Sequence, residues 1–152
     1  MTSQASIVVI ELEALLPEND DAAVHTAIPS ARAIEQLGRL QHNGARLFVL
    51  APALRREDGS DLDRALTRCD QVGRSLQEAG SRLEGALFPD AGESGARAQV
   101  LRDLCRRASC DAAKLTVIAA GVAGETAARG VAAGAIYALG TDGSFPELPA
   151  HQ

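Results

Sequence analysis

The sequence predicts an α/β fold in three layers: a doubly wound, mainly parallel, five-stranded sheet with helices on both faces. Short runs rich in β-branched residues alternate with longer amphipathic segments, and this alternation is typical of a parallel sheet covered on both faces. Right-handed crossovers then distribute the helices over the two faces. A length of 152 residues, 46% of them hydrophobic and 23% charged, suits one domain with its own core.

The first half of the chain contains three predicted strands and two predicted helices. Residues 6–12 form a short β-branched run, and residues 45–50 and 85–88 follow as the second and third strands. A helix over residues 28–43 has Pro29 in its first turn and Gly44 just beyond its end. The next helix begins at a capping sequence that starts with Ser60, and Gly80 ends it.

The second half continues the alternation with a helix over residues 97–108, a strand over 115–120, a helix over 124–133 and a strand over 135–139. The predicted order is therefore β-α-β-α-β-α-β-α-β. We expect a single domain over residues 1–143. Residues 144–152 are polar and contain proline, so we expect a loosely ordered C-terminal tail.

Composition restricts the partners and the compartment. A net charge of -5 argues against nucleic acid, whose phosphates require a basic face. The N-terminal apolar run is too short for a signal peptide or a membrane helix, so we expect no membrane partner. The three cysteines, Cys69, Cys105 and Cys110, lack the spacing of a zinc site or a disulfide framework. Their number and spacing fit a reducing cytoplasm.

The candidate site lies where the first strand ends in Glu11 and Glu13. Ligands of doubly wound sheets bind outside the carboxyl ends of the strands, near the point where the strand order reverses. That rule gathers Glu11, Glu13, Asp90 and the glycine-containing residues 121–125 around one crevice. Side chains two apart on a strand point to the same side. Such a pair can hold a divalent ion for phosphate chemistry, or can simply accept hydrogen bonds from nearby loop N–H groups.

Arginines near the same edge are candidates for binding an anionic ligand. Arg55 and Arg56 follow the second strand, and Arg97 begins the third predicted helix. The simpler interpretation of Arg55 and Arg56 is a pair of solvated loop charges. The turn at residues 121–125 has glycines but no P-loop lysine, so a tight turn with close helix packing is the simpler interpretation there.

Three segments resemble the haloacid dehalogenase superfamily, in particular its small capless phosphatases of histidinol phosphate and D-glycero-D-manno-heptose 1,7-bisphosphate. IVVIELEALL is similar to the first-strand motif Asp-x-Asp-Gly-Thr-Leu, and IPSARAIEQLGRLQHNGARLFVLAPA to the following helix and second strand. VIAAGVAGETAARGVAAGAIYALGTDG is similar to the Gly-Asp-x-x-x-Asp stretch and the last strand. The resemblance covers residues 7–143 and implies the fold predicted above.

The residues that the resemblance marks as catalytic depart from the family pattern. Glu11 stands at the nucleophile position and Glu13 at the acid/base position, where the family has aspartates. Other positions have lost the expected groups: Ala14-Leu15 for Gly-Thr, Ala51 for the phosphate-binding Thr, and Val122 and Thr126 for the magnesium aspartates. No lysine precedes Val100, where the family has its phosphate lysine, and Arg97 is the nearby cation. Attack on a phosphate needs positive charge, which these losses remove.

We therefore expect a haloacid dehalogenase-like domain that has lost phosphatase activity, with no cofactor and no metal ligands. It would bind a protein partner, a further copy of itself or a ligand in the relic pocket. One alternative is a Mg²⁺-dependent phosphatase of small phosphomonoesters that uses Glu11 and Glu13. A second alternative is a receiver-like signalling domain with Asp90 as phosphoacceptor, since such domains share the strand and helix order and an acidic pair after the first strand.

Overall fold

The computed structural model describes residues 6–16, 29–55, 59–92, 95–140 and 144–148. Five strands are present: β1 (Ile7–Glu11), β2 (Arg46–Leu50), β3 (Gly85–Leu87), β4 (Leu115–Ala119) and β5 (Ala135–Ala138). The helices are α1 (Leu12–Leu15), α2 (Ala31–His42), α3 (Gly59–Glu78), α4 (Ala96–Arg107) and α5 (Val122–Gly130), and a 3₁₀ turn covers Ala112–Lys114. The predicted α/β fold class and the nine predicted elements are confirmed.

The strands form one parallel sheet in the order β3-β2-β1-β4-β5. The strand β1 lies at its centre, with Val9 opposite Phe48 of β2 and opposite Val117 of β4. The chain first runs outwards from β1 through β2 to β3, then crosses to the other side of β1 to add β4 and β5. The order therefore reverses between β1 and β4, and a crevice opens at the carboxyl ends of these two strands.

Successive side chains of β1 point to opposite faces of the sheet, and both faces are covered. Val8 and Ile10 belong to a core cluster with residues of α2 and α3, including Leu37 and Leu76. Ile7 and Val9 belong to a second cluster on the other face, with residues of α4 and α5 that include Leu101 and Ala128. This alternation decides which helices the residues at the end of β1 face.

One boundary differs from the prediction in a way that affects the site. The strand β1 ends at Glu11, and Leu12 already begins the short helix α1. Leu12, Ala14 and Leu15 are buried, so this turn packs its apolar side chains into the core rather than extending the strand. A helix of four residues is too short to show hydrophobic periodicity, so the sequence does not reveal it.

Residues 144–148 are packed against the domain, whereas the sequence suggested a loosely ordered tail from residue 144. Phe145 and Leu148 are buried in the cluster on the α2 and α3 face. The Leu148 N–H donates to Oε1 of the buried Gln36 of α2 at 3.2 Å. Two apolar side chains in a polar stretch are enough to hold a segment on a core, and the polar composition concealed them.

The cysteines are free thiols, and none of them lies in a strand. Burial raises the pKa of the Cys69 thiol to about 11, so this side chain packs in the α3 interior as a small apolar group. Cys105 and Cys110 lie at the end of α4, where the Cys110 N–H donates to the Cys105 carbonyl at 2.9 Å. Ser109 takes a positive φ of 52°, which completes the turn that ends the helix.

Among the helices of the described ranges, none is long and apolar enough to cross a membrane.

Gly134 lies where α5 returns to the sheet, and the backbone there leaves no room for a side chain. Its N–H faces the carbonyls of Ala112 and Leu115 at 2.9 and 3.0 Å. A Cβ at Gly134 would lie 2.6 Å from the carbonyl carbon of Ala113, closer than Cβ contacts occur. Because the obstacle is backbone, the 3₁₀ turn would have to shift to admit any other residue.

We expect Gly134→Ala to lower the free energy of unfolding by about 2–3 kcal/mol, the range of overpacked sites. The matched control is Gly73→Ala, since Gly73 lies inside α3 with open space around it. Alanine favours a helix interior over glycine by up to about 1 kcal/mol, so this control should stabilise the protein. Urea denaturation followed by circular dichroism measures both. Equal stability of the two variants would contradict the close approach at Gly134.

Candidate functional site

Glu11 is the last residue of β1 and is almost completely buried, with 3% of its surface exposed. It continues the series Ile7, Val9, Glu11, so its side chain points to the face that α4 and α5 cover. The preceding strand positions are apolar and fully enclosed. Glu11 therefore brings a carboxyl group to the crevice between β1 and β4 at the depth of the core.

The carboxyl group of Glu11 lies against the turn that joins β4 to α5. The backbone N–H of Ala120 donates to Oε1 of Glu11 at 2.8 Å. Gly124, in the first turn of α5, leaves the space that the carboxyl group fills, because a Cβ there would lie 2.5 Å from Cδ of Glu11. Glycine at this position is required by the close approach of Glu11 and not by an unusual backbone dihedral.

Arg97 supplies the positive charge nearest to Glu11. It lies in the first turn of α4, and its Nε is 3.6 Å from Oε2 of Glu11. The side chain of Arg97 is 25% exposed, whereas that of Glu11 is 4% exposed. Within the described ranges, the buried Nε of Arg97 has no hydrogen-bond partner, so the contact is an ion pair without a close hydrogen bond.

The environment raises the pKa of Glu11 above that of a free carboxyl group. Burial is the largest cause, since it disfavours the charged form, and repulsion from Glu13 adds to it. The hydrogen bond from Ala120, the charge of Arg97 and a contact with the Gly121 backbone act in the opposite direction. Donors and cation together compensate only part of the cost of removing this carboxylate from water.

Glu13 does not lie beside Glu11 in the way that the sequence suggested. The expectation of two carboxylates on one side of a strand was wrong, because the strand stops at Glu11. Glu13 belongs to the first turn of α1 and is half-buried. It influences Glu11 through its charge, but the alternation of a β-strand no longer aligns the two side chains.

The arginines predicted to bind an anion occupy different places. Arg97 reaches Glu11, as described above, whereas Arg55 forms an exposed ion pair with Asp61 of α3, Nε to Oδ2 at 3.3 Å. The backbone N–H of Arg55 also donates to the same oxygen at 3.3 Å. Arg56 lies outside the described residues. The ligand-binding roles of these arginines stay predictions.

The receiver-like alternative is contradicted by the order of the strands. A receiver domain has the order 2-1-3-4-5, which places its third strand next to the first. Here β3 is at the edge of the sheet and β2 separates it from β1. Asp90, the residue proposed as phosphoacceptor, accepts a hydrogen bond from the Gly92 N–H at 2.8 Å in a turn after β3. It is therefore a turn residue on the far side of β2.

The positions that the resemblance marks for phosphate and magnesium hold no carboxylate or hydroxyl directed at Glu11. Ala51 is completely buried at the end of β2, and Val122 is 78% exposed at the start of α5. Thr126 is exposed, and Glu125 pairs with Arg129 of the same helix at 4.0 Å. The residue of α5 that faces Glu11 is Gly124.

The donor set around Glu11 does not fit a Mg²⁺ ion. Magnesium requires near-octahedral oxygen ligands, commonly one or two carboxylates completed by water and substrate oxygens. Oε1 of Glu11 is engaged by an N–H donor and Oε2 faces a guanidinium. The part of the chain that the structure describes contains no group of three His, Cys, Asp or Glu side chains that could hold a metal.

The sequence indicated Glu11 and Arg97 as site residues, but it did not indicate Gly124 or the backbone N–H of Ala120. A backbone donor leaves no signal in the sequence, because every residue except proline carries one. Gly124 was visible as a glycine near a helix start, yet nothing in the sequence linked it to Glu11, which is 113 positions away.

We expect Gly124→Ala to displace the Glu11 side chain and to lower the free energy of unfolding by about 1–3 kcal/mol, the cost of an unsatisfied buried polar group. In a Glu11→Ala background the same substitution should cost less, because the obstruction is gone. Gly130→Ala in the same helix is the control, since its Cβ would meet only Ala98 at 4.0 Å. Urea denaturation gives all these values. Equal costs of Gly124→Ala in both backgrounds would contradict the packing.

The raised pKa of Glu11 predicts how stability depends on pH. Because the folded-state pKa lies above the ordinary value of 4.5, folding favours the protonated form, and the resulting stabilisation is present below the unfolded pKa. It is lost as pH rises through the folded pKa. Wild type should therefore lose stability relative to Glu11→Gln as pH increases above about 4.5. Urea denaturation of both proteins over a pH series tests this; the opposite trend would indicate a carboxylate stabilised as the ion.

Comparison with known proteins gives relatives in structure only. No protein-family model matches the sequence, and no curated protein matches it in sequence. The fold is similar to D,D-heptose 1,7-bisphosphate phosphatase from B. bronchiseptica, solved with magnesium and phosphate, with a TM-score of 0.63 and 15% identity over 86% of this chain and 78% of that one.

Two further phosphatases share the architecture. A substrate-bound phosphoserine phosphatase has a TM-score of 0.63 and 11% identity over 91% of this chain and 87% of that one. The cobalt-bound deoxy-D-mannose-octulosonate 8-phosphate phosphatase from Haemophilus influenzae has a TM-score of 0.58 and 13% identity over 91% and 70%. At these identities the likeness concerns the fold. The chain therefore has the haloacid dehalogenase-like fold that its sequence predicts.

Proposed function

We propose that this chain is a haloacid dehalogenase-like domain that does not hydrolyse phosphate esters and that works as a binding module for a protein partner or a small ligand. The observation that carries the proposal is the state of Glu11. Its two carboxyl oxygens are directed at a backbone N–H and a guanidinium of the same chain. An internal ion pair takes the position from which a nucleophile would attack.

Three properties of Glu11 support a structural role over nucleophilic attack. A nucleophile has to reach the phosphorus atom, whereas Glu11 is 3% exposed. A nucleophilic carboxylate acts as the ion, and burial raises the pKa of Glu11, which works against ionisation. Attack on a phosphate dianion also requires cations around the transferred group, and the local cation, Arg97, faces Glu11 itself.

A Mg²⁺-dependent phosphatase that uses Glu11 and Glu13 is the second candidate function. The shared fold favours it, because one structural relative holds magnesium with phosphate and another holds cobalt. Under this alternative the crevice would have to open, Glu11 would have to leave Ala120 and Arg97, and the metal would supply the positive charge at the reacting phosphate. The donor set described above does not fit that ion, so we place this function second.

A phosphatase assay tests the proposal directly. The protein is incubated with Mg²⁺ and a panel of phosphomonoesters that includes a heptose 1,7-bisphosphate, phosphoserine and a sugar-acid 8-phosphate, and released phosphate is measured. We expect release no faster than in the enzyme-free blank. An active magnesium phosphatase in the same buffer verifies the assay.

The matched variants are Glu11→Gln, which removes the carboxylate, and Glu125→Gln, which removes a carboxylate that pairs with Arg129 on α5. Mg²⁺-dependent release that Glu11→Gln abolishes and Glu125→Gln retains would overturn the proposal and establish the phosphatase. Release that survives Glu11→Gln would also overturn the proposal unless it separates from the protein on further purification.

A further inference from the structure

Arg68 is a buried arginine that the candidate site does not use. It lies in the middle of α3, and only 5% of its surface is exposed. Its Nη2 donates to the carbonyl oxygen of Leu16, and no carboxylate among the described residues forms an ion pair with it. A guanidinium has five N–H donors, so one carbonyl leaves most of its hydrogen-bonding capacity and all of its charge uncompensated.

A cavity of about 110 Å³ adjoins Arg68 at the carboxyl edge of the sheet. Leu12 after β1 and Pro52 and Leu54 after β2 form one wall, and the first half of α3 forms the other. A water molecule occupies about 30 Å³ of liquid, so the cavity can hold a group the size of a small oxyanion. It is distinct from the Glu11 pocket, because Leu12 faces the α2 and α3 side whereas Glu11 faces α4 and α5.

The charges around this cavity are predominantly positive. Arg64 is one helical turn before Arg68, so both guanidiniums come from the same face of α3 and line the cavity. Asp61 also lines it, but Arg55 holds that carboxylate through Nε and the backbone N–H, both at 3.3 Å. The one aspartate that lines the cavity is therefore paired with Arg55, whereas the two arginines that line it, Arg64 and Arg68, have no carboxylate partner within the described ranges.

The two guanidiniums are the side-chain donors among the described residues that line the cavity. Pro52 has no N–H, and the Leu54 N–H already donates to the Pro89 carbonyl at 2.9 Å. A buried charge is unfavourable unless an opposite charge compensates it. The planar fork of arginine matches the oxygens of a carboxylate or a phosphate.

We propose that the cavity between α3 and the ends of β1 and β2 binds a small oxyanion, a phosphate or carboxylate group, through Arg64 and Arg68. The oxyanion neutralises Arg68 in the interior and is held from the solvent side by Arg64, which is exposed. This binding goes beyond the proposed function, because it uses neither Glu11 nor Arg97 and would persist in an active phosphatase.

Anion titrations of the full chain test the site. Sodium phosphate and sodium acetate are added in separate series at constant ionic strength set with sodium chloride, and the unfolding temperature is followed by circular dichroism. An anion that binds the folded state alone raises the unfolding temperature with concentration. We expect at least one of the two anions to do so over the chloride control. A larger effect of phosphate or of acetate identifies the preferred head group, and either result supports the site.

Variants locate the binding. Arg64→Ala should weaken anion binding by about 10-fold or more, the effect of losing a charge-assisted hydrogen bond. Arg64 is exposed, so this variant should fold. Arg68→Lys retains the charge but loses the planar fork and should also bind more weakly. Arg74→Ala is the matched control on α3, because Arg74 is exposed and pairs with Asp70 at 3.2 Å; it should bind as wild type does.

The proposal is overturned if neither anion stabilises the wild type, or if Arg64→Ala and Arg68→Lys bind like the wild type. Loss of binding in Arg97→Gln with retention in Arg64→Ala would also overturn it, because the anion would then occupy the pocket of Glu11. That last outcome would count against the non-catalytic proposal too, whereas the other two would leave it unaffected. The two proposals can therefore fail separately.

Discussion

A carboxylate that leaves water has to meet donors or positive charge, and Glu11 leaves water at the end of the central strand. The surrounding structure conforms to this requirement. The turn after β4 directs the Ala120 N–H at Oε1, α4 begins with Arg97 facing Oε2, and α5 carries glycine where the carboxyl group needs space. These contacts join β1, β4, α4 and α5 at the point where the strand order reverses.

The end of β1 divides the crevice into two chemically different halves. Glu11, the last residue of β1, faces α5, whereas Leu12, the first residue of α1, packs into the core cluster on the α2 and α3 face. The first half contains an acid that the chain itself partly compensates. The second contains two arginines of α3 beside a small cavity, without a carboxylate partner among the described residues. The proposed anion site would therefore lie on the α3 side of the crevice and not at Glu11.

The fold that this chain shares with phosphatases says little about its function, although the similarity covers most of the chain. A doubly wound sheet creates a crevice at the carboxyl ends of its strands whatever residues line it. Heptose-bisphosphate and phosphoserine phosphatases are similar to this chain over most of its length at 15% and 11% identity. Function depends on the few side chains at the strand ends, and these are the positions where Glu11, Ala51 and Gly124 stand in this protein.

The sequence by itself determined the layers and the element order. Hydrophobic periodicity is a local signal, and so are the glycines and prolines at the ends of helices and strands. The nine elements could therefore be predicted with ends correct to within a few residues. The spacing of Glu11 from the start of β1 and the position of Arg97 near a helix start were visible for the same reason. Composition misled for residues 144–148, where Phe145 and Leu148 are buried in an otherwise polar stretch.

Only the tertiary structure decided what these residues contact. The strand order excluded a receiver arrangement, since pairing between β1, β2 and β4 depends on long-range contacts. The end of β1 at Glu11 separated Glu13 from it, and α1 formed because apolar residues there could be buried. The residues in contact with Glu11 come from positions 97, 120 and 124, far from it in the sequence. Arg68 lines a cavity that only the packing of α3 against the ends of β1 and β2 creates. Burial and compensation of charge are properties of the folded environment, and no local pattern in the sequence encodes them.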